Sequence, residues 1–256
     1  MNIKKSLPIQ SFALIGMLYY APSVLASSIL GAAQNYAMLS YSGITNTGPT
    51  TIGGNIGSFP TPSITGFDDI IFKTGILDTT NAQQAQNDAS TAYNVLTSAP
   101  YSVNESGNNL GGLTLNPGVY YFSSSAQLTG NLTLDAHGDP NALFIFEIGS
   151  TLTTATSSTV NLINGGNAGN NLFWLVGSSA TLGTGATFAG NILADQSITL
   201  DNSAEILGGR AIALNGAITL DSNTIFTSAV PEQEEWVMML LGLPMLGWAI
   251  KKRRQS

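Results

Sequence analysis

Residues 171–226 read NLFWLVGSSATLGTGATFAGNILADQSITLDNSAEILGGRAIALNGAITLDSNTIF, and this stretch decides the fold. Three short segments recur in it. A bulky one comes first: LFWLV (172–176), NILA (191–194) and AIAL (211–214). A second sets a threonine between apolar residues: ATL (180–182), ITL (198–200) and ITL (218–220). A third is alike: ATF (186–188), AEI (204–206) and NTI (223–225). Working outward, VYYF (119–122) and LFIFEI (143–148) extend the first set, and AQL (126–128) and STL (150–152) the second. LTL (113–115), LTL (132–134) and STV (158–160) extend the third. A period of about twenty residues with three short strands predicts coils stacked into a triangular β-solenoid.

Strand alternation then sends the residues beside each central position inward and the central one outward. Stacking turns one threonine per coil into a column, with neighbours about 4.7–4.9 Å apart. The spacing predicts two columns. One holds Gln127, Thr151, Thr181, Thr199 and Thr219. The other holds Thr114, Thr133, Thr159, Thr187, Glu205 and Thr224, and TTIGGNI (50–56) resembles TFAGNIL (187–193) closely enough to add Thr51. The bulky segments are apolar at consecutive positions, so both sides of that face need cover. The cover expected is a helix over about 81–97. In NAQQAQNDASTAYNVL (81–96), Ala82, Ala85, Ala89, Ala92, Tyr93 and Leu96 form one stripe, Asn81 suits the N-cap, and Pro100 lies beyond the end.

Composition narrows the function. Of 256 residues none is cysteine, which removes disulfides, zinc–thiolate sites and thiol nucleophiles. His137 is the single histidine. Between residues 27 and 230 only Lys73 and Arg210 are basic, against twelve acidic residues. So acidic a surface repels phosphate backbones and argues against nucleic acid as a partner. Catalysis on a solenoid needs paired carboxylates or a metal in a groove. Asp135, Asp139, Asp195, Asp201 and Asp221 fall at strand ends, where turn roles are usual, and His137 lies in a turn, so no enzyme and no cofactor is expected.

The two ends read as addresses. Lys4 and Lys5, the apolar run FALIGMLYY (12–20) and Val24-Leu25-Ala26 form a secretory signal over 1–26. The C-terminus reads VPEQEEWVMMLLGLPMLGWAIKKRRQS (230–256). Trp236 to Ile250 is an uncharged run of fifteen residues, and four basic residues close it. As a helix it covers about 22 Å, with the basic end cytoplasmic and residues 27–230 outside. This end resembles the PEP-CTERM sorting tail of Gram-negative bacteria, with Gln233 in place of the second proline. That resemblance implies an exported, extracellular or cell-surface protein, transiently anchored in the inner membrane through 236–250. It also implies a sorting protease, an exosortase, as partner.

A rigid array of hydroxyls and methyls without charge or cleft suits an extended, neutral, repetitive ligand, and ice is one. Methyls hold an ordered water cage while hydroxyls fix its position. The sequence is here similar to the secreted microbial ice-binding proteins. LGAAQNYAMLSYSGITNTGPTTIGGNIG (30–57), PGVYYFSSSAQLTGNLTLDAHGDPNALFIFEIGSTLTTA (117–155), NLFWLVGSSATLGTGATFAGNILA (171–194) and GRAIALNGAITLDSNTI (209–225) carry the likeness. The resemblance implies a mainly β fold: a right-handed discontinuous triangular β-solenoid over 27–229, one long α-helix along one face, and N-terminal strands closing the stack. It implies a monomer that adsorbs to ice and inhibits its growth or recrystallisation.

Some members carry Thr-Gly/Ala-x-Thr/Asn on the ice face. Thr47-Gly48-Pro49-Thr50 and Thr184-Gly185-Ala186-Thr187 match it, while Asn202-Ser203-Ala204-Glu205 and Asp221-Ser222-Asn223-Thr224 depart from it. The expected ice-binding residues are therefore Thr47, Thr50, Thr51, Thr114, Thr133, Thr159, Thr184, Thr187, Ser203, Ser222 and Thr224, with the Gln127–Thr219 column as the alternative face. The rival function is an extracellular matrix or adhesion protein that binds polysaccharide, for which Tyr36, Tyr41 and Tyr101 are the candidate sugar contacts.

Overall fold

The computed structural model describes residues 29–227. The signal peptide and sorting tail expected at 1–26 and 230–256 lie outside them. Among the described residues no helix is long and apolar enough to cross a membrane. The chain makes stacked three-sided coils whose strands are all parallel, each paired with its equivalent in the next coil.

One side is built from the bulky segments. Gly118–Phe122, Phe144–Ile148 and Leu172–Val176 pair in order, followed by the second halves of Thr187–Ala194 and Glu205–Ala213. The second side is made of strands three to four residues long, from Ala126–Leu128 to Ile218–Asp221. The third runs from Thr114–Leu115 through Asn131–Asp135, Thr159–Ile163 and the first halves of the two long strands to Thr224–Phe226. The N-terminal segment is not at the first coil. Tyr36–Ser40 pairs with the coil of residues 211–213, and Asn55–Ser58 pairs outside it. The first strands in sequence thus form the last two coils in space, the discontinuity expected from the resemblance.

A helix, α1 (Ala82–Leu96), returns the chain from that end to the start of the stack. Seven strand spacings of about 4.8 Å separate the Asn55 and Val103 strands, or about 34 Å. The helix spans about 22 Å of this, and loops supply the rest. Its buried stripe is Ala82, Ala85, Ala89, Ala92 and Leu96. These small side chains let the helix lie close on Leu39, Ile145, Phe173, Leu175, Leu193 and Ile212, which point outward from the bulky strands. The inward residues of the same strands fill the solenoid. Tyr120, Phe146 and Trp174 stack with ring centroids 5.2 and 4.0 Å apart, and Phe188 tilts against Trp174 at 4.8 Å. The Trp174 indole donates to Ala189 O at 3.0 Å, so no donor is stranded in the apolar interior.

The join between the N-terminal coils and the rest is closed by Arg210, which is almost wholly buried. Its Nε and Nη2 donate to Gln34 O, and its Nη1 to Gly169 O and Asn191 Oδ1, at 2.6–2.9 Å. All these acceptors are neutral. Burial pushes the guanidinium down to about 10, which leaves it charged at neutral pH. Removing it strands acceptors from three segments at once, so Arg210→Ala is expected to lower the unfolding free energy by about 3 kcal/mol. Arg210→Lys should restore only part of this, because one ammonium lacks the planar fork that reaches all three. Urea unfolding followed by circular dichroism measures both.

Candidate functional site

Two sides carry outward hydroxyls. On the side of short strands the central column runs Gln127, Thr153, Thr181, Thr199, Thr219, Thr45 and Thr65. Six consecutive positions are threonine, and no bulge interrupts their register. None of the six hydroxyls bonds to another group among the described residues, so all are free for water. Beside it runs a column of small residues, Thr151, Ser179, Ser197, Ala217, Gly43 and Ser63, whose carbonyls accept the ladder bonds from the neighbouring coils. No charge stands in either column. This is the threonine face.

The expected column on this side placed Thr151 where the structure has Thr153. Three residues separate Ile148 from Leu152, as they separate Phe122 from Ala126 and Val176 from Ala180, and this constant turn length sets Leu152 inward. Thr154 then also points inward, and its buried Oγ1 accepts from Gly183 N at 2.9 Å. A hydroxyl in an inward position hides the register from hydropathy alone.

The third side has a less regular column: Asn131, Thr159, Thr187, Glu205, Thr224, Thr51 and Ile71. Thr114 and Thr133 do not belong to it. Thr133 pairs with Asn161, and Thr114 with Thr133. The corner between Leu128 and Asn131 is two residues shorter than that between Thr154 and Thr159, so strand 131–135 starts two residues early. The register also breaks between Phe188 and Gly190 and between Ile52 and Gly53. An open groove of about 930 Å³ interrupts the surface, with Thr133, Asn161, Leu162, Thr187, Ala189 and Leu207 in its walls.

The four-residue motifs form the vertex between the two hydroxylated sides. Ser157, Gly185, Ser203, Ser222 and Gly48 all have positive φ there, and the N–H groups of the first four donate to carbonyls of the next coil. Ser203 and Ser222 are thus turn residues rather than face residues. Thr184 is exposed at the same vertex, and Thr47 is exposed at the rim of the threonine face, opposite Asp221. Thr50 is fully buried, a correction to its expected exposure. Pro49 is an extra residue in this turn, so Thr51, not Thr50, takes the outward place. The Thr50 hydroxyl instead donates to Asn46 Oδ1 at 2.7 Å and accepts from Asn223 N at 3.1 Å.

Of the aromatic candidates, Tyr36 is buried with its hydroxyl on Asp78 O, Tyr41 is exposed, and Tyr101 is exposed and stacked on Tyr121 at 5.0 Å. His137 lies at a turn against Asn116 and Asp135.

A family profile described as Ice-binding-like matches residues 38–226, which is the coil stack itself. The chain belongs to this family. An ice-binding protein of Nostoc sp. (strain HG1) is 49% identical over 237 residues, covering 88% of this chain and 87% of that protein. The crystal structure of an ice binding protein from an Antarctic biological consortium superposes with a TM-score of 0.73 at 40% identity, covering 87% of this chain and 96% of that one. That of an ice-binding protein from the Antarctic ascomycete Antarctomyces psychrotrophicus gives 0.74 at 37% identity, covering 80% and 100%.

The register has a direct test. Thr154→Val keeps the shape but leaves the buried Gly183 N–H without its acceptor, and should cost about 1–3 kcal/mol. Thr153→Val, on the exposed column, should stay within about 0.5 kcal/mol of wild type. Thermal or urea unfolding compares the two.

Proposed function

We propose that this chain is an ice-binding protein that adsorbs to ice through the threonine face and inhibits ice growth or recrystallisation. The observation that carries the choice of face is the run of six threonines with free hydroxyls in unbroken register. Repetition at one strand spacing offers ice a row of identical contacts, and each threonine adds a methyl that orders water and a hydroxyl that joins it. Rigid parallel coils hold these groups before binding, so little side-chain freedom remains to be lost. The absence of charge supports the reading, because ionised groups orient water unlike the ice lattice. Family membership and the names of the relatives support ice as the ligand and a role without catalysis.

A second reading keeps the face expected from the four-residue motifs. It is favoured by Thr224 and Thr51, adjacent in register with free hydroxyls, and by Thr187 two places away. Against it stand Glu205 within the column and the groove beside it. Adhesion to extracellular polysaccharide is favoured by the exposed Tyr101, stacked on Tyr121. The rest of the reading is a right-handed solenoid domain over 27–229, acting as a monomer. It is exported by the signal at 1–26 and handled by an exosortase at 230–256, in the envelope of a Gram-negative bacterium.

Thermal hysteresis and crystal shape of the purified protein test the function: faceted crystals and a hysteresis gap are expected. Normal coarsening by folded protein, with retention on insoluble polysaccharide at room temperature, would put adhesion in its place. Thr199→Tyr should abolish shaping while Thr187→Tyr leaves it, with both proteins folded by circular dichroism. The reverse pattern would move the site to the motif face.

A further inference from the structure

The helix α1 does not seal the whole of the side it covers. One outward row on that side runs Tyr121, Glu147, Leu175, Leu193, Ile212 and Leu39, from the first coils toward the last. The last four are aliphatic and buried under the helix. Tyr121 and Glu147 are only half-buried, and both carry polar tips. Two more tyrosines stand around them. Tyr101, in the segment that follows the helix, stacks on Tyr121 at 5.0 Å with the ring planes 19° apart. It is 53% exposed, so the ring face turned away from Tyr121 is open. Tyr93 comes from the last turn of the helix, where burial and the charges of Asp195 and Glu147 push its phenol up. Burial likewise pushes the Glu147 carboxyl up. Among the described residues, neither the Glu147 carboxylate nor the hydroxyls of Tyr93, Tyr101 and Tyr121 have a hydrogen-bond partner.

We propose that this patch is a binding site for a neutral pyranose polymer, on a different side of the solenoid from the threonine face. A pyranose ring has an apolar C–H face that lies flat on an aromatic ring, and a rim of hydroxyls. Tyr101 offers the aromatic face. Glu147 and the free phenols offer acceptors and donors to the rim, so a few polar groups fix orientation beside an apolar surface. A half-buried carboxylate without a donor has lost part of its water, and sugar hydroxyls return those bonds. Charge selects neutral chains. Glu105, whose N–H donates to Tyr121 O, brings a second acid to the patch. Of the two basic residues between 27 and 230, Arg210 is buried and Lys73 lies in the strand at the opposite end of the stack, so an anionic polysaccharide is repelled. The proposal gives the adhesion reading a site and joins it to ice adsorption, because a glycan held here leaves the threonine column bare.

Affinity electrophoresis of the purified protein tests this, in native gels cast with hydroxyethylcellulose, galactomannan or dextran. Retardation by at least one of these is expected. Tyr101→Ala should weaken binding about tenfold, the equivalent of one stacked aromatic contact, while Tyr101→Phe keeps it. Glu147→Gln should weaken it by about the same factor, because a hydrogen bond to a charged group is lost. Thr199→Tyr should run as wild type does, and Tyr101→Ala should still shape ice crystals, with circular dichroism unchanged in both. The proposal is overturned if wild type runs unretarded in all three gels, or if Tyr101→Ala and Glu147→Gln are retarded as strongly as wild type. Retardation that depends on Tyr101 and Glu147 in a protein that does not shape ice would uphold this site and remove the ice-binding reading.

Discussion

The surface of this protein depends on one constraint, the unbroken coil-to-coil register of the main-chain ladder on the side of the short strands. Three residues separate a bulky strand from its short-strand neighbour in the coils of Phe122, Ile148 and Val176, and where four do so, between Ala213 and Ile218, the ladder still pairs Thr219 with Thr199 and Thr45. The main-chain ladder then fixes neighbouring coils about 4.8 Å apart, and a single side-chain type repeats as a column. On the motif side, differing corner lengths do shift the column. The short corner at Gly130 offsets Thr133 from Thr159, and the extra Pro49 turns Thr50 inward. The regular and irregular faces thus differ in how strictly the ladder keeps its register from coil to coil.

The interior makes this regularity possible. Tyr120, Phe146 and Trp174 stack along the axis, with Phe188 tilted against Trp174 from the third side, so aromatic area accumulates from coil to coil as the hydrogen-bond ladder does. The bulky strands are buried on both surfaces, and the alanine stripe of α1 lets a helix seal the outer one. The two remaining sides are free to be polar. A narrow solenoid otherwise buries too little apolar surface for its length, and the helix corrects that on one side while leaving the opposite architecture flat.

Much of this was legible in the sequence. The period, the three segments per coil, the inward and outward alternation and the helix from Ala82 all follow from side-chain pattern, and the structure agrees. The register within a column was less legible. Hydropathy placed Leu152 inward correctly but could not distinguish Thr151 from Thr153 as its outward neighbour, since both flank an apolar residue and both are threonine. The inward Thr154 and Thr50 escaped notice because a buried hydroxyl with a partner looks, in sequence, like an exposed one. The extension of the threonine column by Thr45 and Thr65 also escaped. Those residues lie far from the repeat in sequence, and of ITNT (44–47) only Thr47 enters the four-residue motif Thr47-Gly48-Pro49-Thr50. The positive φ of Ser157, Ser203 and Ser222 had a faint signal in the glycines at the equivalent positions 185 and 48.

The placement of the earliest strands on the latest coil sets an order of assembly. Tyr36–Ser40 is synthesised before almost all of the fold, yet its partner strand, ending at Ala213, comes nearly last. Thr45 and Thr65 complete a column whose other members are already in line, so the N-terminal segment must wait unpaired while the stack grows toward it. Such long-range closure slows folding and leaves a strand edge open in the interval. Arg210, arriving with the final coil, supplies the donors that Gln34 has lacked until then, and the ring of sequence closes on a bond between residues 176 positions apart.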